Sequence, residues 1–379
     1  MATLTFMTHT IFDHGASARL GEVLRQHGIR RPLLCTDVGL VQLGMVDELV
    51  QGLGNEAALT IFDGTPENPT QMSVEEAVAR YREEDCDGVV ALGGGSPMDL
   101  AKAVALAVTH EGDLIEYTAG LGGAAKIGKI APLVAIPTTS GTGSEVSSGA
   151  VIIMNNGEKL ILASRELVPR TAICDPDLTL GLPPHLTAAT GMDALSHCIE
   201  ALCAPQVNPP AEAVACDGIE RSVRDGNLLK AVRDGSDGHA RWHLMMAASE
   251  GAMAFSKGLG SVHSMSHACG ADQKLRLHHG TLNAVLMPII LDFNRDHVGD
   301  KYARLSKAMG LDTSADPADF IRELNVEMGL PTSLSEMGVK ADAIPALAIH
   351  AAKDICTFTN PRPCSAAEYE VLFETALAG

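Results

Sequence analysis

Along the first half of the chain, short apolar runs of β type alternate with segments whose apolar residues recur at helical spacing. The runs cover residues 32–37, 59–62, 88–92, 133–137 and 172–175, each bounded by Gly, Pro or Asp. Helical patterns over 73–84 and 97–108 separate them. Continuous apolar runs of this length, interleaved with helices, are the signature of buried parallel strands covered on their faces. From about Leu182 onward the β-branched runs thin out, and Ala/Leu/Met-rich stretches take over at 211–223, 241–255 and 302–309. The pattern predicts an α/β domain over residues 1–183 with a parallel sheet, and an all-α domain over 184–379, divided at the Pro-rich turn Gly181-Leu-Pro-Pro-His185. The run over 3–12 is a candidate pairing edge strand, which points to a homodimer or higher homo-oligomer. Neither an internal repeat nor a low-complexity tract interrupts the pattern.

Composition narrows the function classes. At 379 residues the chain has the length of two domains of roughly 100–200 residues each. Hydrophobic residues make up 46% and charged residues 20%, the profile of a globular protein. A net charge of −19 argues against nucleic acid and anionic membrane as partners and leaves a small molecule. No run approaches the roughly 18 apolar residues of a spanning helix, and the first ten residues lack a charged region leading into an apolar stretch, so the protein is expected in the cytoplasm. Nine cysteines form no CxxC pair and read as reduced, packing thiols.

Two loops carry binding chemistry. In Gly93-Gly-Gly-Ser-Pro-Met-Asp-Leu-Ala-Lys102 three glycines stand between a predicted strand and a predicted helix. Without Cβ atoms, their backbone N–H groups can approach a diphosphate, and the helix adds its positive N-terminus. The loop is neither a Walker A sequence nor GxGxxG. A second loop, Pro137-Thr-Thr-Ser-Gly-Thr-Gly-Ser-Glu145, also follows an apolar strand. Two such loops at the carboxyl ends of parallel strands fit one extended dinucleotide in a Rossmann-like domain. Asp37, at the end of the first of these runs, suits a ribose hydroxyl and repels a 2′-phosphate, favouring NAD over NADP.

The helical half holds a different constellation. Asp193 and His197 are spaced i, i+4, as are His263 and His267, and His278 and His279 follow in a third segment. The i, i+4 spacing puts each pair on one helix face. One carboxylate with two or three imidazoles is a ligand set for a divalent transition metal, Fe²⁺ or Zn²⁺.

On these residues the chain resembles the iron-containing (group III) alcohol dehydrogenase family over almost its whole length. The two loops above, Ala189-Thr-Gly-Met-Asp-Ala-Leu-Ser-His197, Gly258-Leu-Gly-Ser-Val-His-Ser-Met-Ser-His267 and His279-Gly-Thr-Leu-Asn-Ala284 occur in the family's order. The resemblance implies a dehydroquinate synthase-like architecture with metal ligands Asp193, His197, His263 and His279. It makes His267 a non-ligand catalytic residue near substrate and nicotinamide. It also puts Asp37, Asn68, Gly94, Gly95, Ser96, Asp99, Thr138, Thr139, Thr142 and Lys159 around NAD(H). Two departures stand out: Ala268-Cys269-Gly270 follows His267 where a Pro is usual, and the interval from His263 to His279 is longer than in many members, which keeps His278 as an alternative ligand.

Within the family the chain is similar to bacterial 4-hydroxybutyrate dehydrogenases, through Phe62-Asp-Gly-Thr-Pro-Glu-Asn-Pro-Thr70, Cys174-Asp-Pro-Asp-Leu-Thr-Leu-Gly-Leu-Pro183, Phe255-Ser-Lys-Gly-Leu-Gly260 and the segment Leu277-His-His-Gly280. The implied reaction is metal-dependent, NAD(H)-linked interconversion of a small primary alcohol and its aldehyde, 4-hydroxybutyrate and succinic semialdehyde among them. Phosphonoacetaldehyde or sulfoacetaldehyde reduction, a zinc glycerol dehydrogenase or dehydroquinate synthase-like activity, and a non-catalytic nucleotide-binding module are the alternatives. His267 either relays a proton or orients its neighbours. For a carboxylated aldehyde, Lys257 is the expected cation, with Arg276 second.

Overall fold

The structure, a computed structural model, describes residues 8–53, 57–271, 275–312 and 314–379. It comprises two compact units. An α/β unit runs up to Thr139 and again over Ser144–Thr179, and a helical unit holds Ser140–Gly143 and Leu180–Gly379.

The α/β unit is built on a six-stranded sheet of β1 (His9–Phe12), β2 (Pro32–Cys35), β3 (Thr60–Phe62), β4 (Gly88–Gly93), β5 (Leu133–Pro137) and β8 (Thr171–Cys174). Its order is β1-β8-β5-β4-β2-β3, and every pairing is parallel. All five expected runs are strands of this sheet, and residues 9–12 of the expected edge strand form its outer member; residues 3–7 of that run lie outside the described residues. The strands are apolar throughout because both faces are covered. Val89 and Ala91 of β4 join a core with the helices Gln71–Glu83 and Gly95–Ala107, while Val90 and Leu92 join another with the helix Leu20–His27.

An antiparallel hairpin of β6 (Gly149–Ile153) and β7 (Lys159–Ala163) was not among the expected elements. Its signal is Asn156-Gly157 between two apolar runs, with Gly157 at φ 85°. The hairpin is tied to the Gly95–Ala107 helix by one buried ammonium. Lys102 Nζ donates to Ser144 Oγ at 2.9 Å, to the Ser147 carbonyl at 3.0 Å and to the Gly149 carbonyl at 2.7 Å. Asp99, one turn earlier, accepts from Ser144 Oγ and from the Val151 N–H. Burial lowers the Lys102 ammonium to about 8, opposed by the charges of Asp99 and Glu145.

In the helical unit, the helix Pro184–Cys203 starts on a proline at its first turn and is buried on all sides from Thr187 to its end, apart from Thr190. The helices Pro209–Ile219, Gly238–Ala254 and His279–Asn294 pack against it. All nine cysteines are free thiols, eight of them buried. Among the described residues no helix is long and apolar enough to cross a membrane.

Replacing Lys102 by Met strands its carbonyl and hydroxyl acceptors and takes from the Asp99 and Glu145 carboxylates the positive charge they share. Urea unfolding of Lys102→Met is expected to show a loss of roughly 3–5 kcal/mol, the cost of removing one partner from a buried charged network. A loss under about 1 kcal/mol would mean that the hairpin is held by its packing alone.

Candidate active site

In the α/β unit the strand order reverses between β2 and β4, the position where open sheets of this type leave a crevice beyond their carboxyl ends. The turns that line it carry the expected residues. Gly93, at φ 149°, admits no side chain, since a methyl there would lie 2.5 Å from Pro97 Cγ. A methyl on Gly94 would lie 3.2 Å from Thr139 Oγ1, so the two loops are in contact. The Thr138 N–H donates to the Gly93 carbonyl at 3.0 Å, fixing them side by side. Gly95 opens the helix, with its unpaired N–H groups at that end.

Ser96 Oγ donates to the Glu67 carbonyl, and Lys159 Nζ donates to Asn68 Oδ1 at 3.0 Å, which gathers the 67–68 segment and β7 at the same edge. Asp37 caps the helix Val38–Gln42 by accepting from the Leu40 N–H at 3.0 Å. Asp99 accepts one hydrogen bond on each oxygen, from Ser144 Oγ and from the Val151 N–H. Thr142 belongs to the stretch Ser140–Gly143, which packs within the helical unit, where a methyl on Gly143 would lie 2.3 Å from Ala252 Cβ.

In the helical unit three imidazoles converge on one carboxylate oxygen. Asp193 Oδ1 lies 3.8 Å from His197 Nε2, 4.0 Å from His263 Nε2 and 3.5 Å from His279 Nε2. The ligand atoms of Asp193, His197 and His263 all lie within 4.8 Å of one another, and His279 joins them through the shared carboxylate oxygen, a donor set that suits a divalent transition-metal ion. The side chains of Asp193, His197 and His263 are 4%, 7% and 2% exposed, whereas that of His279 is 36% exposed, so the centre opens on the His279 side.

Burial holds the imidazoles of His197 and His263 down to about 4, against the pull of Asp193, so both are neutral at pH 7 with lone pairs for a cation. The approach of the fourth donor depends on Gly280, where a methyl would lie 2.0 Å from the Ala189 carbonyl oxygen. Only a glycine beside His279 lets the two helices come this close.

A further layer of carboxylates holds the rings. Glu200 Oε2 is 2.6 Å from His263 Nδ1, and its Oε1 accepts from the Val262 N–H at 2.8 Å; burial pushes this carboxyl up to about 7. His267 Nδ1 is 2.9 Å from Asp354 Oδ2, and its ring stacks on that of His279 at 5.4 Å. Burial alone would raise the Asp354 carboxyl, but the hydrogen bond and charge of His267 outweigh it and hold Asp354 at about 2. The bond fixes the proton on Nδ1 and turns Nε2 outward from the carboxylate.

Residues 7–176 match the description iron-containing alcohol dehydrogenase, and residues 187–377 match the C-terminal part of the Fe-containing alcohol dehydrogenase family. The chain belongs to the iron-containing alcohol dehydrogenase family. It is 49% identical to a 4-hydroxybutyrate dehydrogenase of Cupriavidus necator, with 100% of both chains covered. It is also similar to the crystal structure of a 1,3-propanediol oxidoreductase, with TM-score 0.93 and 34% identity over 99% of this chain and 100% of that one. The sulfoacetaldehyde reductase of Bifidobacterium kashiwanohense, solved in complex with NAD⁺, superposes with TM-score 0.90 at 25% identity, covering 99% of this chain and 98% of that one.

One expectation for this dehydrogenase needs correction. Lys257 is not a cation available to a substrate carboxylate: its side chain is 0% exposed, and Nζ donates to the carbonyls of Ala201 at 2.9 Å and Leu202 at 3.1 Å, and to that of Ala204. It caps the Pro184–Cys203 helix, with Glu212 Oε1 at 3.4 Å balancing its charge. Arg276 is exposed, with φ 47°.

Sequence reasoning passed over Glu200, which lies one turn beyond His197, and Asp354, which lies 87 residues from its partner and has no local spacing signal. Of the two adjacent histidines, His279 is the one that reaches Asp193. Metal analysis after dialysis is therefore expected to find His279→Ala and Gly280→Ala depleted and His278→Ala loaded. The reverse pattern for the histidines would move the fourth ligand to His278.

Proposed function

We propose that this chain is an NAD(H)-linked, metal-dependent alcohol dehydrogenase and aldehyde reductase whose substrate pair is 4-hydroxybutyrate and succinic semialdehyde. The convergence of three imidazole nitrogens on Asp193 Oδ1 carries this reading, and the high identity to the Cupriavidus necator enzyme over the full length supports the substrate. Asp193, His197, His263 and His279 would hold Fe²⁺, or Zn²⁺ with the same donors. When bound, the ion polarises the carbonyl or alcohol oxygen as a Lewis acid, and the nicotinamide exchanges hydride with the carbon.

The chain's own residues do the rest. The N–H groups at Gly94, Gly95 and Ser96 bind the diphosphate at a helix N-terminus. Thr138, Thr139, Asn68 and Lys159 flank it, and Asp37 offers its second oxygen to a ribose hydroxyl. His267 takes up the alcohol proton on Nε2 and passes it to solvent, while Asp354 holds the ring by its Nδ1–H. We read the protein as cytoplasmic and as a homo-oligomer, the second supported by the position of β1 at the sheet edge.

The deciding experiment is NADH oxidation by anaerobically Fe²⁺-loaded, Zn²⁺-loaded and metal-free protein against acetaldehyde, butyraldehyde, succinic semialdehyde and phosphonoacetaldehyde. Activity is expected only with metal, with kcat/KM for succinic semialdehyde about tenfold or more above the others. A metal-loaded protein inert towards every aldehyde would overturn the reading. His267→Ala should keep its metal, lose roughly 10²–10⁴-fold in kcat and recover part of it with added imidazole. Full kcat in a metal-replete variant would reduce His267 to a packing role.

A further inference from the structure

Asn283 stands one helical turn after His279, fully buried, and its side chain enters the donor set itself. Its Nδ2 lies 2.8 Å from Asp193 Oδ1, 3.2 Å from His279 Nε2 and 3.4 Å from His263 Nε2. Its Oδ1 is buried and has no hydrogen-bond partner among the described residues. Turning the amide over would set that oxygen against a carboxylate and two imidazole lone pairs, acceptor against acceptors, so the orientation follows from the chemistry of the neighbours.

An amide has two N–H groups, and here three acceptors share them while its own acceptor goes unused. That arrangement serves lone pairs which have been brought together and need positive charge. Each neutral imidazole has one acceptor nitrogen with one lone pair. His263, whose Nδ1 is bound to Glu200, and His279 therefore cannot accept from Asn283 and bind a cation through Nε2 at the same time. Asp193 Oδ1, with two lone pairs, can do both.

We propose that Asn283 is a placeholder for the cation: its N–H groups occupy the converging lone pairs in ion-free protein, keep the centre assembled and yield when an ion arrives. This rests on the metal reading above. It differs from a ligand-positioning role in sign, because interactions made only without the ion oppose its binding.

The test compares wild type with Asn283→Leu, which keeps the branching at Cγ, is somewhat larger and removes both donors, and Asn283→Ala, which serves if the larger leucine prevents folding. Thermal midpoints are measured for metal-free and Zn²⁺-loaded protein, and the Zn²⁺ dissociation constant by competition with a chromophoric chelator. The expected result is a larger fall in midpoint for the metal-free form than for the loaded form, with Zn²⁺ bound about threefold to tenfold more tightly than by wild type. Equal falls in both forms with weaker Zn²⁺ binding would overturn the proposal and make Asn283 a support of the loaded centre. Wild type that binds no Zn²⁺ would instead overturn the metal reading on which it rests.

Discussion

A carboxylate can be buried only where donors or cations meet it. Asp193 is 3% exposed, and its surroundings are organised around that demand. Its Oδ1 faces three imidazole nitrogens and the Asn283 amide, contributed by the helices Pro184–Cys203, Ser261–Gly270 and His279–Asn294. The remaining features of the centre follow outward from it. Histidines packed this tightly stay neutral, so the Nδ1 proton of His263 needs an acceptor of its own, and Glu200 provides it from the helix that carries Asp193. His279 comes within reach only because Gly280 lets its helix touch the Ala189 carbonyl.

In the α/β unit the constraint is steric instead. Gly93 and Gly94 leave space that side chains would fill, and the adjacent loop is locked beside them through the Thr138 N–H. The continuation of the glycine loop into Asp99 and Lys102 then braces the hairpin whose second strand begins with Lys159. A motif that looks like a single phosphate loop in the sequence thus does two things: its first half is bare backbone, and its second half supplies a buried carboxylate and ammonium that hold the hairpin bearing Lys159. The charges of Asp99 and Lys159 also attract one another, which couples the brace to β7.

This division explains how much was legible. The parallel strands were readable because burial on both faces leaves continuous apolar runs, and the donors because a helix repeats its face every three or four residues, which marks Asp193 with His197 and His263 with His267. The hairpin was missed because its two apolar runs, 150–154 and 160–163, have no helical pattern between them and so fall outside an alternation of strands and helices; in the fold only alternate residues of it, Ala150, Ile152 and Leu162, are buried. Asp354 acts on a partner 87 residues away, so no local pattern marks it; Glu200 and Asn283 do lie one turn after His197 and His279, but their partners His263 and Asp193, 63 and 90 residues away, are what give them a role.

Lys257 shows the opposite error, in which proximity along the chain suggested a role that packing assigns elsewhere. The Pro184–Cys203 helix ends inside the protein, where its last carbonyls have no solvent to bind. Lys257 supplies one donor group to three of them, with Glu212 balancing its charge and Lys301 Nζ reaching the same Ala204 carbonyl. The helix clamped in this way carries Asp193, His197 and Glu200. A change at Lys257 therefore acts on the metal donors through the helix that bears them, and a rise in KM after its replacement would report a displaced centre before it reported a lost contact with substrate.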